Sequence, residues 1–192
     1  MKRFWKLGIT IVIVPITLAA QQGVPSPPPN TTVLGSFRDF GGHYGGLLLA
    51  AFDSIPARKY DFRPTPVQQT VGYIAQHLEH ANYALCAGIG GLRAPIGPKD
   101  SISDTIKSAW PKDTLVARLR ASLQFCARAF AQVNDAQLTE TVALGSSSSD
   151  SVTRVRALLF FTTDLAEHYS QVASYMRFMG LVPPSALRRP DH

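Results

Sequence analysis

The sequence predicts an all-α protein, in its simplest form a four-helix bundle with long crossover connections. Four segments repeat apolar residues at three- and four-residue spacing, and no segment shows the convincing apolar–polar alternation of a strand. The chain has 192 residues, of which 45% are hydrophobic and 17% are charged. This balance is typical of a globular domain with a proper core and argues against a disordered chain.

The N-terminus, residues 1–21, predicts a secretory signal peptide. The basic segment MKRFWK precedes LGITIVIVPITLAA, an apolar run that ends in small residues. The alternative is a transmembrane anchor, but the run is short for a span of about 20 residues and contains Pro15. We therefore expect cleavage near residues 19–22. The product is expected to be exported, periplasmic or extracellular, with no stable membrane span.

The mature chain is predicted to contain three parts. Residues 22–30 are a Pro-rich leader of extended type, residues 31–187 the helical bundle and residues 188–192 a tail. The formal net charge of +6 includes three basic residues of the predicted signal peptide. The mature chain has no basic stripe with interleaved aromatic residues, so we expect no nucleic-acid partner.

The first predicted helix covers residues 31–55 and contains a weak point, GGHYGG. Each glycine costs a helix about 1 kcal/mol relative to alanine, so we expect this helix to pack closely there or to break. The second helix covers residues 66–87. Thr65 is its predicted N-cap and Pro66 its first residue, and Val67 belongs to its predicted core stripe.

The third predicted helix covers residues 113–133 and the fourth covers residues 151–179. Gly180 fits the position just beyond the fourth helix, and two prolines at 183–184 prevent its continuation. The connection at residues 88–112 is long for a compact domain, so it is expected to be functional or to contain small structure of its own. The polar linker GSSSSDS precedes the fourth helix.

Two cysteines, Cys86 and Cys126, fall in apolar helical patterns. An exported protein meets an oxidising compartment, where one disulfide between them is allowed. Buried free thiols are the alternative, and the sequence leaves the choice open.

Asp164 and His168 lie on the stripe that the fourth helix is expected to bury. Their side chains can reach the same point, because residues four apart are neighbours on one helix face. The same spacing allows two ligands to share a metal ion. A third ligand would come from the second helix, where His77 lies nearer the inward face than His80. The alternative is a hydrogen-bonded Asp–His pair in the core.

Two longer segments, KYDFRPTPVQQTVGYIAQHLEHANYALC and DLAEHYSQVASYMRFMGLVPPS, carry a family resemblance. Together they resemble the DinB-like superfamily of metal-dependent four-helix-bundle proteins, over residues 31–187. The matching positions are Tyr60, Phe62, Pro64, His77, Cys86, Glu167, His168, Tyr169, Gln171, Tyr175, Arg177, Gly180, Pro183 and Pro184.

The resemblance implies a metal site between the second and fourth helices. The usual ligand set of the family is three histidines, which carry over to His77, Asp164 and His168, so this chain departs from the pattern at one ligand. Two imidazoles and a carboxylate still suit zinc or nonhaem iron, and nickel and manganese are further candidates. His80 and Tyr169 are expected to support these ligands, with His80 also a substitute ligand.

Two function hypotheses follow from this resemblance. The first is an exported metal-dependent hydrolase or transferase that acts on an unidentified small molecule. The second is a noncatalytic binding or structural bundle whose metal site is degenerate. The sequence does not establish the reaction, and a homodimer is an open expectation.

Overall fold

The structure is a computed structural model that describes residues 32–144 and 151–187. The predicted signal peptide, leader and tail, and residues 145–150 of the polar linker, lie outside this part of the chain. The described residues form four long helices, α1 (Val33–Ser54), α2 (Val71–Gly90), α4 (Lys112–Ala131) and α5 (Arg154–Phe178), with a short helix α3 (Asp104–Lys107). Within the described residues, no helix combines the length and the hydrophobicity that a membrane-spanning segment requires.

The four long helices pack as a ring around one core. The α2–α4 interface is the most extensive, followed by the α1–α5 and α2–α5 interfaces. The α1–α4 seam is the least extensive of the four. The α1–α4 and α2–α5 seams therefore lie on opposite sides of the bundle. The core is built from fully buried aliphatic and aromatic side chains, including Leu48, Phe52, Ile74, Leu78, Leu119, Leu158 and Leu165.

Helix α1 runs through the glycine-rich segment without a break. A Cβ atom on Gly41 would lie 2.7 Å from the ring of Phe161, and one on Gly45 would lie 3.0 Å from Leu123. Close packing therefore accounts for these two glycines. At its start, the backbone N–H groups of residues 33 and 34 donate to the Asp135 carboxylate, each at 2.9 Å.

The predicted start of the second helix is wrong. Helix α2 begins at Val71, and the Thr70 hydroxyl accepts from the Tyr73 N–H at 3.1 Å as its N-cap. Thr65 lies in a preceding turn, where its hydroxyl bonds the Gln68 side chain. Val67, predicted to be in the core, is 94% exposed.

A two-stranded antiparallel sheet joins α4 to α5 and corrects the expectation that the chain has no strands. Strand β1 (Thr141–Ala143) pairs with β2 (Ser151–Thr153), and α5 begins at Arg154, three residues later than expected. The buried Arg154 guanidinium donates to the Ile89 carbonyl, to the Gln137 carbonyl at 3.2 Å and to the Glu140 carboxylate at 2.7 Å. These bonds fasten the start of α5 to the end of α2 and to the segment before β1.

The long connection from α2 to α4 contains a 3₁₀ turn (Pro98–Ser101) and helix α3. Arg118 of α4 holds this connection, because its guanidinium binds both the Asp100 carboxylate and the Glu79 carboxylate of α2. Cys86 of α2 and Cys126 of α4 form a disulfide with a Cα–Cα distance of 5.1 Å, within the usual range. Both cysteines are buried, so a covalent bond inside the core joins these two helices.

Helix α5 ends as its sequence predicts. Gly180 takes the left-handed conformation with φ 75°, and the Leu181 N–H donates to the Met176 carbonyl at 2.8 Å. A glycine adopts this conformation without the steric cost of a Cβ atom.

Candidate metal centre

The α2–α5 seam brings His77, Asp164 and His168 together. One ligand atom from each side chain lies within 4.8 Å of the other two. His77 Nε2 is 3.8 Å from Asp164 Oδ1, and His168 Nδ1 is 3.3 Å from the same oxygen. The two imidazole rings lie with centroids 4.9 Å apart. Two helices therefore supply a compact set of two imidazoles and one carboxylate.

The Asp164 carboxylate is held in the ionised form. Burial raises the pKa of this carboxyl group, but interactions with the rings of His168 and His77 outweigh burial and lower the pKa to about 2. Its second oxygen, Oδ2, is buried and has no hydrogen-bond partner within the described structure. A buried carboxylate oxygen without a partner is costly, so Oδ2 is available to coordinate a cation.

His168 is oriented by its own helix. Its Nδ1 atom lies 2.9 Å from the carbonyl oxygen of Asp164, one turn earlier, and therefore carries a proton in this hydrogen bond. The lone pair of the neutral ring is then on Nε2, and a hydrogen bond of this kind is the common way to orient a metal-binding histidine. Burial lowers the pKa of His168, but its hydrogen bonds with Asp164 and the charge of that carboxylate outweigh burial and raise it above its usual value.

The donor set suits a divalent transition metal. Ligand bonds of about 2 Å place two donors of a tetrahedral site about 3.3 Å apart. The observed spread of up to 4.8 Å is wider than this, so binding requires rotations of partly exposed side chains. The His77 side chain is 35% exposed, the most of the three, and its ring lies nearly parallel to that of Tyr73 with the centroids 6.4 Å apart.

The two residues predicted to support these ligands lie elsewhere. His80 is exposed on α2. Within the described residues, the group of side chains close enough to share a metal ion consists of His77, Asp164 and His168 and does not include His80. Tyr169 is buried on another face of α5, where its hydroxyl accepts from the Ser185 N–H at 2.8 Å and its ring lies near Tyr44. Tyr169 thus fastens the C-terminal segment to the bundle.

An open cleft of about 780 Å³ lies beside the candidate ligands, and apart from His77 and His168 sequence reasoning gave its lining residues no role in the site. Gln69, Glu167, Gln171 and Ser174 line it together with His77 and His168. The Gln171 amide donates to the Tyr175 hydroxyl at 3.0 Å, so its carbonyl oxygen is the group left to accept. Gln171 lies three residues after His168, and Ser174 lies three residues after Gln171, so each is a neighbour of the preceding one on the helix surface; this spacing is the signal that could have indicated a role in the site for both.

The four-helix architecture is that of a known family. The family model described as the DinB superfamily matches residues 45–172. The chain belongs to the DinB superfamily. The family was therefore identified correctly from the two long sequence segments. No curated protein matches the chain in sequence.

Solved structures share the DinB-like fold with this chain. A DinB-like protein from Bacillus cereus has 19% identity and a TM-score of 0.62, and the match covers 80% of this chain and 96% of that one. A conserved protein from Enterococcus faecalis has 15% identity and a TM-score of 0.61, over 78% and 99% of the two chains.

A mycothiol-dependent maleylpyruvate isomerase is a third structural neighbour. It has 11% identity and a TM-score of 0.59, and the match covers 72% of this chain and 60% of the isomerase. At these identities the three neighbours establish a common fold. The Asp–His–His group itself is a feature of this chain's own structure.

Proposed function

We propose that this DinB superfamily protein is an exported enzyme that binds one divalent metal ion through His77, Asp164 and His168 and hydrolyses a small polar molecule. The observation that carries the proposal is the convergence of these three side chains, one of which, Asp164, has a buried oxygen without a hydrogen-bond partner in the described structure. Two imidazoles and one carboxylate fill three coordination positions, which leaves others open for water or substrate.

The chain's own residues would divide the work between holding the ion and holding the substrate. When bound, a divalent ion supplies Lewis-acid chemistry at a substrate oxygen or a water molecule. His168 is pre-oriented by the carbonyl of residue 164, and Asp164 contributes a negative charge that offsets part of the charge of the ion. Glu167 and Gln171 present oxygen acceptors to the cleft and would bind donor groups of a substrate.

Hydrolysis fits this chain better than transfer through a small thiol. One structural neighbour is named as mycothiol-dependent, which makes thiol-dependent group transfer the other reaction to consider. A chain that carries a disulfide in its core suits an oxidising compartment, where a cytosolic thiol pool is absent. Water is available in every compartment, so hydrolysis needs no further co-reactant.

A noncatalytic bundle is the second candidate, and one observation favours it. Asp164 Oδ1 already lies 3.3 Å from His168 Nδ1 and 3.8 Å from His77 Nε2, so the three residues can satisfy much of one another's charge without an ion. In that case the Asp–His–His group stabilises the α2–α5 seam and has no role in chemistry.

Metal content distinguishes the two candidates. The mature chain, purified without a histidine tag, is reconstituted separately with zinc, nickel, manganese and iron(II) at about pH 8, where imidazole ligands are neutral. Bound metal is then measured by elemental mass spectrometry. We expect close to one ion per chain, lost in both His77→Ala and Asp164→Ala. His80→Ala is the matched control, because it removes an exposed imidazole from the same helix, and it should retain the ion.

Two further variants test the role of the carboxylate. Asp164→Asn keeps the shape and removes the charge, so we expect weaker binding than in the native chain. Asp164→His restores three histidines and should bind zinc at least as tightly as the native chain. If the native chain binds none of the four metals while folding normally, the metal-dependent proposal is wrong and the hydrogen-bonded seam is the correct account.

A further inference from the structure

A second cavity lies on the opposite side of the bundle from the Asp–His–His group. The α1–α4 seam contains a groove of about 820 Å³ with a mostly apolar lining. Leu49, Leu123, Ala127 and Phe130 form much of its walls. Its size and apolar character are those of a binding site for a small molecule. The metal centre lies at the α2–α5 seam, so the two cavities are separate.

Two exposed glycines of α1, Gly42 and Gly46, give the groove a lining without side chains, the glycine floor. Close packing explains why glycine occurs at positions 41 and 45, because an added Cβ atom would lie too close to Phe161 and Leu123 respectively. Gly42 and Gly46 also line the groove, yet a Cβ atom on either would meet nothing within 4 Å. Alanine would therefore fit at both positions and would favour the helix. The packing of the protein does not account for these two glycines.

One end of the groove carries a positive charge that no carboxylate of the described residues neutralises. Arg38 lines this end, and its Nη2 atom donates to the carbonyl oxygens of Phe130 and Val133 at 2.6 and 3.3 Å. The Arg38 residue is exposed, and no hydrogen bond from Nε or Nη1 to another described residue accompanies the two bonds of Nη2. At the far end, Arg120 is paired with Asp53 at 3.2 Å. The lining contains no acidic side chain.

We propose that this groove binds an amphiphile with one carboxylate head and a long hydrocarbon tail. The carboxylate would lie against the Arg38 guanidinium, whose planar set of donors matches it in geometry and charge. The tail would lie on the glycine floor between the apolar walls. The distance along α1 from Arg38 to Leu49 is about 17 Å at a rise of about 1.5 Å per residue, which accommodates a long alkyl chain. This proposal does not depend on the metal centre.

Fluorescence titration tests the groove on metal-free protein of the native sequence. The probe is dansyl-labelled undecanoic acid, and hexadecanoate and hexadecanol are compared as competitors. We expect saturable binding of the probe and displacement by hexadecanoate at a concentration at least tenfold lower than by hexadecanol. This ratio follows from the charge-assisted hydrogen bonds that only the carboxylate can make with Arg38.

Variants of the groove complete the test. Gly42→Leu/Gly46→Leu fills the floor where the structure has free space, so we expect probe binding to weaken at least tenfold while the melting temperature does not fall. His43→Leu is the matched control, since it adds the same side chain to an exposed position of α1 outside the groove. Arg38→Gln should weaken hexadecanoate about tenfold and leave hexadecanol unchanged.

Two results would overturn the proposal. If Gly42→Leu/Gly46→Leu binds the probe as well as His43→Leu does, the ligand is not in the groove. If hexadecanol competes as well as hexadecanoate and Arg38→Gln changes neither, the site does not select a carboxylate.

Discussion

The disulfide between Cys86 and Cys126 allows a quantitative prediction of stability. Its two cysteines are 40 residues apart, so the bond closes a loop of that length in the unfolded chain. The chain-entropy relation gives about 4 kcal/mol of stabilisation at 25 °C for such a loop. Reduced thiols are small and apolar and remain suited to the buried site, so we expect little additional loss from packing.

Reduction should therefore lower the free energy of unfolding by about 4 kcal/mol and the melting temperature by about 8–16 °C for a chain of this size. The measurement is urea unfolding, followed by circular dichroism, of the mature protein with and without a phosphine reductant. Free thiols are titrated in denaturant on both samples to confirm the redox state. Cys86→Ala/Cys126→Ala is the control, because the reductant should not change its stability.

A small effect would contradict the reasoning. If the titration finds two thiols only after reduction, yet the free energies of unfolding differ by less than about 1 kcal/mol, the loop-closure account is refuted for this chain. Such a result would mean that the unfolded chain between the two cysteines is already restricted without the bond.

Two further predictions concern single positions. In metal-free protein, Asp164 has a pKa of about 2 against 3.8 for the unfolded chain, so its ionised form contributes about 2 kcal/mol to stability above pH 4, and this contribution is lost as the pH falls towards 2. In urea unfolding, the free energy by which the native chain exceeds Asp164→Asn should therefore decrease over this pH range. A free-energy difference between the two proteins that does not change with pH would contradict the lowered pKa. Gly72→Ala should destabilise the protein by about 2 kcal/mol or more in thermal unfolding, because the added Cβ would lie 2.2 Å from the Ser108 carbonyl oxygen. Gly42→Ala should instead stabilise the protein by about 1 kcal/mol, because alanine favours the helix. Equal effects of the two substitutions would refute the packing argument.

The four long helices could be predicted because each buries one face, and this produces a clear apolar period. The start of α2 could not. Thr65–Pro66 and Thr70 both carry local capping signals, and tertiary bonds decide between them: the N–H groups of Val71 and Gly72 donate to carbonyls of residues 62 and 60. The strands were missed because three residues with a single buried side chain, Val142, are too few to show alternation.

The candidate site could be predicted in part for a similar reason. Asp164 and His168 share one helix, so their proximity follows from helical spacing alone. The choice between His77 and His80 depends on the rotation of α2 about its axis, and it is His77, the one nearer the apolar stripe, that lies beside Asp164. The groove of the α1–α4 seam could not be predicted, because four glycines in one segment do not indicate which of them face a neighbouring helix.

Because β1 pairs with β2, the rotation of α5 about its own axis, here its phase, does not depend on the length of the α4–α5 connection. The strand register and the Arg154 bonds fix where α5 starts, and the number of turns from residue 154 to residue 164 then determines the direction in which Asp164 points. Residues added between 143 and 151 would extend the connection beyond the strands and leave that phase unchanged. The segment therefore offers an insertion point at which a tag or a second domain can be introduced without rotating the candidate ligands out of alignment.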